Sequence, residues 1–334
     1  MRGASARIGL GVLVVVLTLG PFAAPLAAQT QASGKVPHVG YVFSRVSSAD
    51  QRVWDAARQG LRELGCVEGQ NITVEVRWAE GRSERLPDLV AKLVRLNVDV
   101  LVVGSTPGAL AAKNATRTIP IVFLGVGDPV SSGLVASLAR PGSNLTGLSL
   151  LNPAVSGKRL ELLKECLPGI SRVAVLTNPG NPIHAVYWRE TLTAAQALGL
   201  QLQPMKVRAP EDFDEAFRAA TSGRAGALVA FDDPLTLAYR ARLVALAAKY
   251  RLPTMYGFRE FPDAGGLLSY GPNLLDQYLR TATYVDRILK GARPADLPVE
   301  QPTKFELIIN RHTAKTLGLA IPPSVLVRAD HVIE

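Results

Sequence analysis

The sequence predicts an α/β protein of two doubly wound parallel-sheet lobes. Two observations carry this reading: β-rich runs alternate with amphipathic helical runs from Val36 onward, and the whole plan starts again 134 residues later. A third concerns the tail, whose helix and strand have no counterpart in the first half and are most easily placed if the chain crosses between the lobes more than once.

The chain begins MRGASARIGLGVLVVVLTLGPFAAPLAA, residues 1–28, with Arg2 and Arg7 before an apolar run and a small-residue end. This is the pattern of a secretory signal peptide, with cleavage expected near Ala28/Gln29 and a periplasmic mature chain. An uncleaved membrane anchor is the alternative, since about 20 apolar residues span a bilayer. No Cys stands near the cut, which argues against a lipoprotein anchor.

The run VPHVGYVF is the first strand, followed by the helix DQRVWDAARQGLRELG, the strand NITVEVRWA, the helix ERLPDLVAKLVRLN and the strand VDVLVVG. That βαβαβ order marks a parallel sheet with helices on both faces. PGALAAKNATRT, with Pro107 suited to a first helical turn, leads to the strands IPIVFLG and NLTGLSL. RVAVLTN (172–178) then lies 134 residues after HVGYVFS (38–44), and Gly199 lies 134 after Gly65. LQLQPMKV, EDFDEAFRAATSG, GALVAFDD and RLPTMYG continue the second copy. The helix NLLDQYLRTATYVDRILKG, the Pro-rich GARPADLPVEQP, the strand-like KFELIIN, the helix RHTAKTLG and an extended AIPPSVLVRADHVIE finish the chain. Returns near Gly271 and near Phe305 to Asn310 would make a multi-segment hinge, with lobe 1 over 36–148 plus 271–304 and lobe 2 over 149–270 plus 305–334.

Apolar residues make up 48% and charged ones 19%, enough for two filled cores. The net charge of +9 comes from Lys and Arg scattered singly, as at Arg58, Arg95 and Arg159, with no basic run of the kind that tracks phosphates, so no nucleic-acid partner is expected. Cys66 and Cys166 fall in different halves and are read as unpaired, because a bridge would lock lobes that must move. The histidines His38, His184, His312 and His331 show no metal-ligand spacing, and no P-loop, complete GxGxxG or GxSxG occurs. No cofactor, metal or catalytic residue is expected. Three N-x-T strings, at Asn71, Asn114 and Asn144, would permit glycosylation in a eukaryotic secretory path, and chance explains them equally well.

In open parallel sheets ligands bind beyond the carboxyl ends of the strands, so the loops after each strand are the candidate site. These are SRVSSAD, GSTPG and GVGDPV in the first half and TNPGNP, FDDP and YGFREF in the second. Their hydroxyl, amide, acidic and aromatic residues suit a small polar molecule. Ser105 or Thr106 would cap the helix opened by Pro107, and that helix end would also seat an anion. Asp128, Asp232 and Asp233 each precede or flank a Pro, which reads either as turn chemistry or as carboxylates for an ammonium group. Among Tyr41, Phe43, Tyr256, Phe258 and Tyr270, one or two are expected to line the ligand and the rest to be core.

Several runs taken together carry a family resemblance: GLRELGCVEGQNITVEVRWAEGRSERLPDLVAKLV, GDPVSSGLVASLARPGSNLTGLS, GKRLELLKE, FREFPDAGGLLSYG and PTKFELIINRHTAKTLGLAIPPS. From about Val36 to Glu334 the chain resembles bacterial ABC-transporter substrate-binding proteins of the tryptophan/phenylalanine-binding type. The resemblance implies a type I periplasmic-binding-protein fold with a three-segment hinge, and a small-molecule ligand, an amino acid or similar carboxylate, delivered to a membrane permease. It implies ligand contacts at Ser44, Ser105, Thr106 and Asp128 in the first lobe and at Asn178, Asn181 and Asp232 or Asp233 in the second, and Tyr256, from the reading of the strand-end aromatics, is expected beside them. A monomer is expected. The rival readings are a ligand-sensing module for a membrane receptor and an extracellular hydrolase or isomerase, which would need a base and a nucleophile converging in the cleft.

Overall fold

The computed structural model describes residues 35–150 and 153–334. The leader read at 1–28 lies outside them; among the described residues no helix is long and apolar enough to cross a membrane.

The first half builds one sheet from β1 (His38–Phe43), β2 (Thr73–Trp78), β3 (Val100–Gly104), β4 (Ile121–Val126) and β5 (Leu145–Ser149). The helices α1 (Gln51–Glu63), α2 (Leu86–Arg95) and α3 (Thr106–Ala115) connect them. The strands are all parallel in the order β2-β1-β3-β4-β5. Because side chains alternate along a strand, the buried run of β1 serves two cores. Val39, Tyr41 and Phe43 pack on the face that carries α1, and Val42 packs on the opposite face with α2.

The second half opens with α4 (Pro153–Cys166) and runs through β6 (Arg172–Thr177), α5 (Ile183–Ala197), β7 (Gln201–Lys206), α6 (Phe213–Ser222) and β8 (Ala227–Ala230). The helices α7 (Pro234–Ala238) and α8 (Arg240–Lys249) follow, then β9 (Thr254–Tyr256), α9 (Glu260–Asp263) and β10 (Leu268–Gly271). α10 (Leu274–Leu289) leaves this sheet and packs on α1. A Cβ at Gly60 of α1 would lie 2.2 Å from the Leu279 carbonyl oxygen, so glycine sets how closely the two helices approach. The chain then adds β11 (Glu306–Asn310), α11 (Arg311–Leu317), α12 (Pro323–Leu326) and β12 (His331–Ile333) to the second half. The second sheet runs β12-β11-β10-β9-β8-β6-β7. It is parallel except where β11 pairs antiparallel to β10. The tail expected to be extended holds the short helix α12, whose Val325 is fully buried.

Within β7-β6-β8-β9-β10 the order repeats that of the first sheet. Each sheet reverses its winding at its first strand, between β1 and β3 and between β6 and β8. Loops leaving such a reversal diverge and leave a crevice, so the two crevices face the same space when the halves meet. This is the two-lobe α/β architecture of type I periplasmic binding proteins, each lobe being one sheet with its helices.

Candidate ligand site

Between the two crevices lies a cavity lined from both lobes and partly open to solvent. Its first-lobe wall is the end of α3 and the loops beside it. Ser105 takes the N-cap position and its Oγ accepts the Gly108 N–H. Ser44 Oγ lies 2.8 Å from Ser105 Oγ and donates to the Gly104 carbonyl. Thr106 Oγ1 accepts the Gly127 N–H at 3.2 Å, which ties the loop after β4 to the helix start. Ser105 has φ 71° and ψ 159°, a backbone region that is essentially glycine's own. A serine there costs on the order of 1–3 kcal/mol, and such strain concentrates at binding sites. Pro107 has no N–H, and those of Gly108 and Ala109 go to the Ser105 side chain and carbonyl, so the Thr106 N–H, the helix dipole and the Ser105 hydroxyl make this end of the cavity a positive seat for a carboxylate.

The second-lobe wall is ordered by Asp233. Its Oδ1 accepts from Leu235 N and Asn178 Nδ2, and its Oδ2 from Asn181 Nδ2 at 2.9 Å. Asp233 thus caps α7 and clamps the loop after β6 to the loop after β8. Its side chain is 0% exposed and its acceptor sites are taken up by the fold. Asp232 pairs with Arg159 at 2.9 Å, and Arg159 Nε donates to the Tyr270 carbonyl. Asp232 Oδ1 and Asn181 Oδ1 are buried without a hydrogen-bond partner, on two residues that line the cavity. Apolar and aromatic side chains fill the space between, among them Leu150, Ile183, Tyr187, Phe258 and Tyr278. Burial raises the pKa of both Tyr187 and Tyr278, so each stays a neutral phenol.

His184 stands behind this wall, buried, with Nδ1 accepting the Asn178 N–H at 2.8 Å and Nε2 3.1 Å from the Asp232 carbonyl. The neutral ring with its proton on Nε2 satisfies both. Burial lowers its pKa from 6.5 against the opposing pull of Asp233, so the folded ring binds a proton less readily than the unfolded one. Its contribution to stability is full above 6.5 and is lost as pH falls through the folded value. Urea unfolding of His184→Asn, whose side-chain oxygen can replace Nδ1 as acceptor, should show a shallower loss of stability than wild type between about pH 7 and about pH 5. Parallel losses would remove this role.

Of the residues expected from sequence, Ser44, Ser105, Thr106, Asn181, Asp232 and Asp233 line the cavity. Three are placed elsewhere. Asp128 turns its carboxylate onto the N–H groups of Val130 and Ser131, closing its own turn. Asn178 braces Asp233 and the Gly180 N–H from behind. Tyr256 is the last residue of β9, 1% exposed, with its ring stacked on Phe261 in the core. Arg159, which the sequence shows only as one of the singly scattered cations, is 3% exposed and sits on Asp232. Arg45, Tyr187 and Tyr278 were not singled out by sequence; Arg45 follows Ser44 directly, while the two tyrosines arrive from helices α5 and α10. Cys66 and Cys166 are free, and burial pushes the Cys166 thiol up to about 11. Among the described residues no cluster of His, Cys, Asp and Glu could hold a metal ion.

The chain is similar to several known proteins. The tyrosine-binding protein of Clostridioides difficile (strain R20291) is 26% identical over 269 residues, 79% of this chain and 77% of that protein. A solved conserved domain protein from Vibrio cholerae superposes with TM-score 0.84 at 30% identity, over 89% of this chain and 100% of the other. An ABC domain from Streptococcus pneumonia in complex with L-Trp superposes with TM-score 0.83 at 25% identity, over 90% and 100%. The family described as ABC transporter substrate binding protein matches residues 47–333. The protein is thus a substrate-binding protein rather than an enzyme, and the chain belongs to the ABC transporter substrate binding protein family.

Proposed function

We propose that this protein is the exported, monomeric receptor of an ABC importer, that it takes an amino acid with an aromatic or large apolar side chain, and that it delivers the ligand to a membrane permease. The observation that supports the ligand class is the polarity of the cavity. One end offers the Thr106 N–H, the positive end of α3 and the Ser105 hydroxyl, braced by Ser44, to a carboxylate. The other offers the unpartnered Oδ1 atoms of Asn181 and Asp232 to an ammonium group, and the wall between is apolar and aromatic. The ligands named for the two amino-acid-binding relatives, tyrosine and L-Trp, have this shape. The segments 36–148 plus 271–304 and 149–270 plus 305–334 would move as the two lobes that close on it, and residues 1–28 would direct export.

The direct test is calorimetric titration of the mature chain and of its Ser105→Ala, Thr106→Ala double variant. Loss of these hydroxyls is expected to weaken binding by about 1 to 3 kcal/mol. Loss of the Ser105 cap should also lower folding stability by about 1 kcal/mol, measured separately by melting. Unchanged affinity would remove the helix end from the site.

A further inference from the structure

Two ion pairs cross the cavity mouth, and they form one alternating chain of charge. Arg45 and Asp50 follow β1 in the first lobe; Arg240 opens α8 and Glu260 opens α9 in the second. Glu260 Oε1 meets Arg45 Nη2 at 3.3 Å, Arg45 Nη1 meets Asp50 Oδ1 at 3.2 Å, and Asp50 Oδ1 meets Arg240 Nη2 at 3.2 Å. Arg240 also donates to the Ala49 carbonyl. Each lobe supplies one cation and one anion, so each half of the chain is neutral alone and the two dock head to tail. The burial is graded, with Arg45 and Asp50 4% and 3% exposed and Arg240 and Glu260 16% and 18% exposed. Burial disfavours the Arg45 charge, but its pKa is nonetheless raised, with the Glu260 and Asp50 carboxylates beside it favouring the cation.

Arg45 has a second connection. It lines the ligand cavity on one side and, on the other, a separate cavity that includes Asp50, Arg240 and Glu260. Its guanidinium lies 5.7 Å from the centre of the Tyr278 ring, which is itself part of the ligand wall. The lobes also meet by packing: a Cβ at Gly127 would lie 2.4 Å from Ile183, and one at Gly81 2.5 Å from Ala238. Such apolar contacts are non-directional, whereas the charged chain has a register that only one closed arrangement satisfies.

We propose that Arg45, Asp50, Arg240 and Glu260 form a clasp that favours the closed cleft before ligand arrives, with Arg45 as the positioning residue that joins the clasp to the cavity wall. The inference rests on the lobe closure assumed above, though not on the identity of the ligand. Closure then depends on two separable sources, the ligand's bridging contacts inside and the clasp at the rim. A ligand that touches Tyr278 or Arg45 stabilises both.

The test is small-angle scattering of the ligand-free mature chain beside Arg240→Gln, Glu260→Gln and the double variant, none of which alters a residue lining the ligand cavity. Each loss of a crossing pair is expected to lower the closed-to-open ratio, about tenfold for the double variant, read as an increase in radius of gyration. Arg240→Lys, which keeps the charge, should restore the compact curve, and circular dichroism confirms that each variant is folded. Identical scattering from wild type and the folded double variant would overturn the proposal, as would a wild-type chain that is already open. Because no ligand is present, failure to identify an amino-acid ligand leaves this result standing.

Discussion

Asp233→Ala should lower unfolding free energy by about 3 kcal/mol and abolish ligand binding. The side chain is wholly buried and accepts from Leu235 N, Asn178 Nδ2 and Asn181 Nδ2, so its removal strands three donors away from water. It also removes the cap of α7, worth about 1 kcal/mol by itself. The loss of binding follows from geometry, since the loops after β6 and β8 are held in register by this one carboxylate. Asp233→Asn should fall between, keeping one acceptor while turning an amide toward donors. Urea unfolding checks the stability arm, and wild-type stability in Asp233→Ala would contradict the role assigned to the hub.

Gly257→Ala should weaken ligand binding about 100-fold while leaving the protein folded. The added Cβ would stand 1.6 Å from Asp232 Oδ1 and 2.5 Å from Arg159 Nη2. Arg159 does not yield cheaply, because its Nε is also held by the Tyr270 carbonyl. Asp232 must therefore leave its pair and its place in the wall. Off-position packing of this kind costs about 1–3 kcal/mol in stability as well. Titration calorimetry with the wild-type ligand is the check, and retention of affinity in the folded variant would show that Asp232 need not stand where it does.

Much of the fold was readable because its physics is local and repeated. The 134-residue offset announced the second copy, and the alternation of strand and helix announced parallel sheets. What the second lobe adds beyond the copy was harder to read. β11 enters antiparallel, and α12 interrupts a Pro-rich stretch with one buried valine at its centre, a signal too short for periodicity to show. At the site, hydroxyls next to a helix start were legible because capping chemistry has a sequence signature. Acidic residues were not. Asp128, Asp232 and Asp233 read alike from sequence, and only their neighbours separate a turn carboxylate, a paired carboxylate and a saturated hub. Tyr256 illustrates a boundary of one or two residues: still inside β9 it belongs to the core, whereas Phe258, just past the strand end, lines the cavity. Arg159 carries no local mark at all, because its partner lies 73 residues away.

The central claim is that the cavity binds an amino acid by its two charged ends and by an apolar side chain. Titration calorimetry of the mature protein with L-tryptophan, L-tyrosine, L-phenylalanine and L-leucine, beside the decarboxylated amine and the deaminated acid of each, tests it most directly. The account predicts saturable one-to-one binding of at least one intact amino acid, recovered unchanged, with both truncated forms weaker by about tenfold or more. Equal binding of an amino acid and its decarboxylated amine, or binding confined to molecules that lack an amino-acid head group, would contradict it.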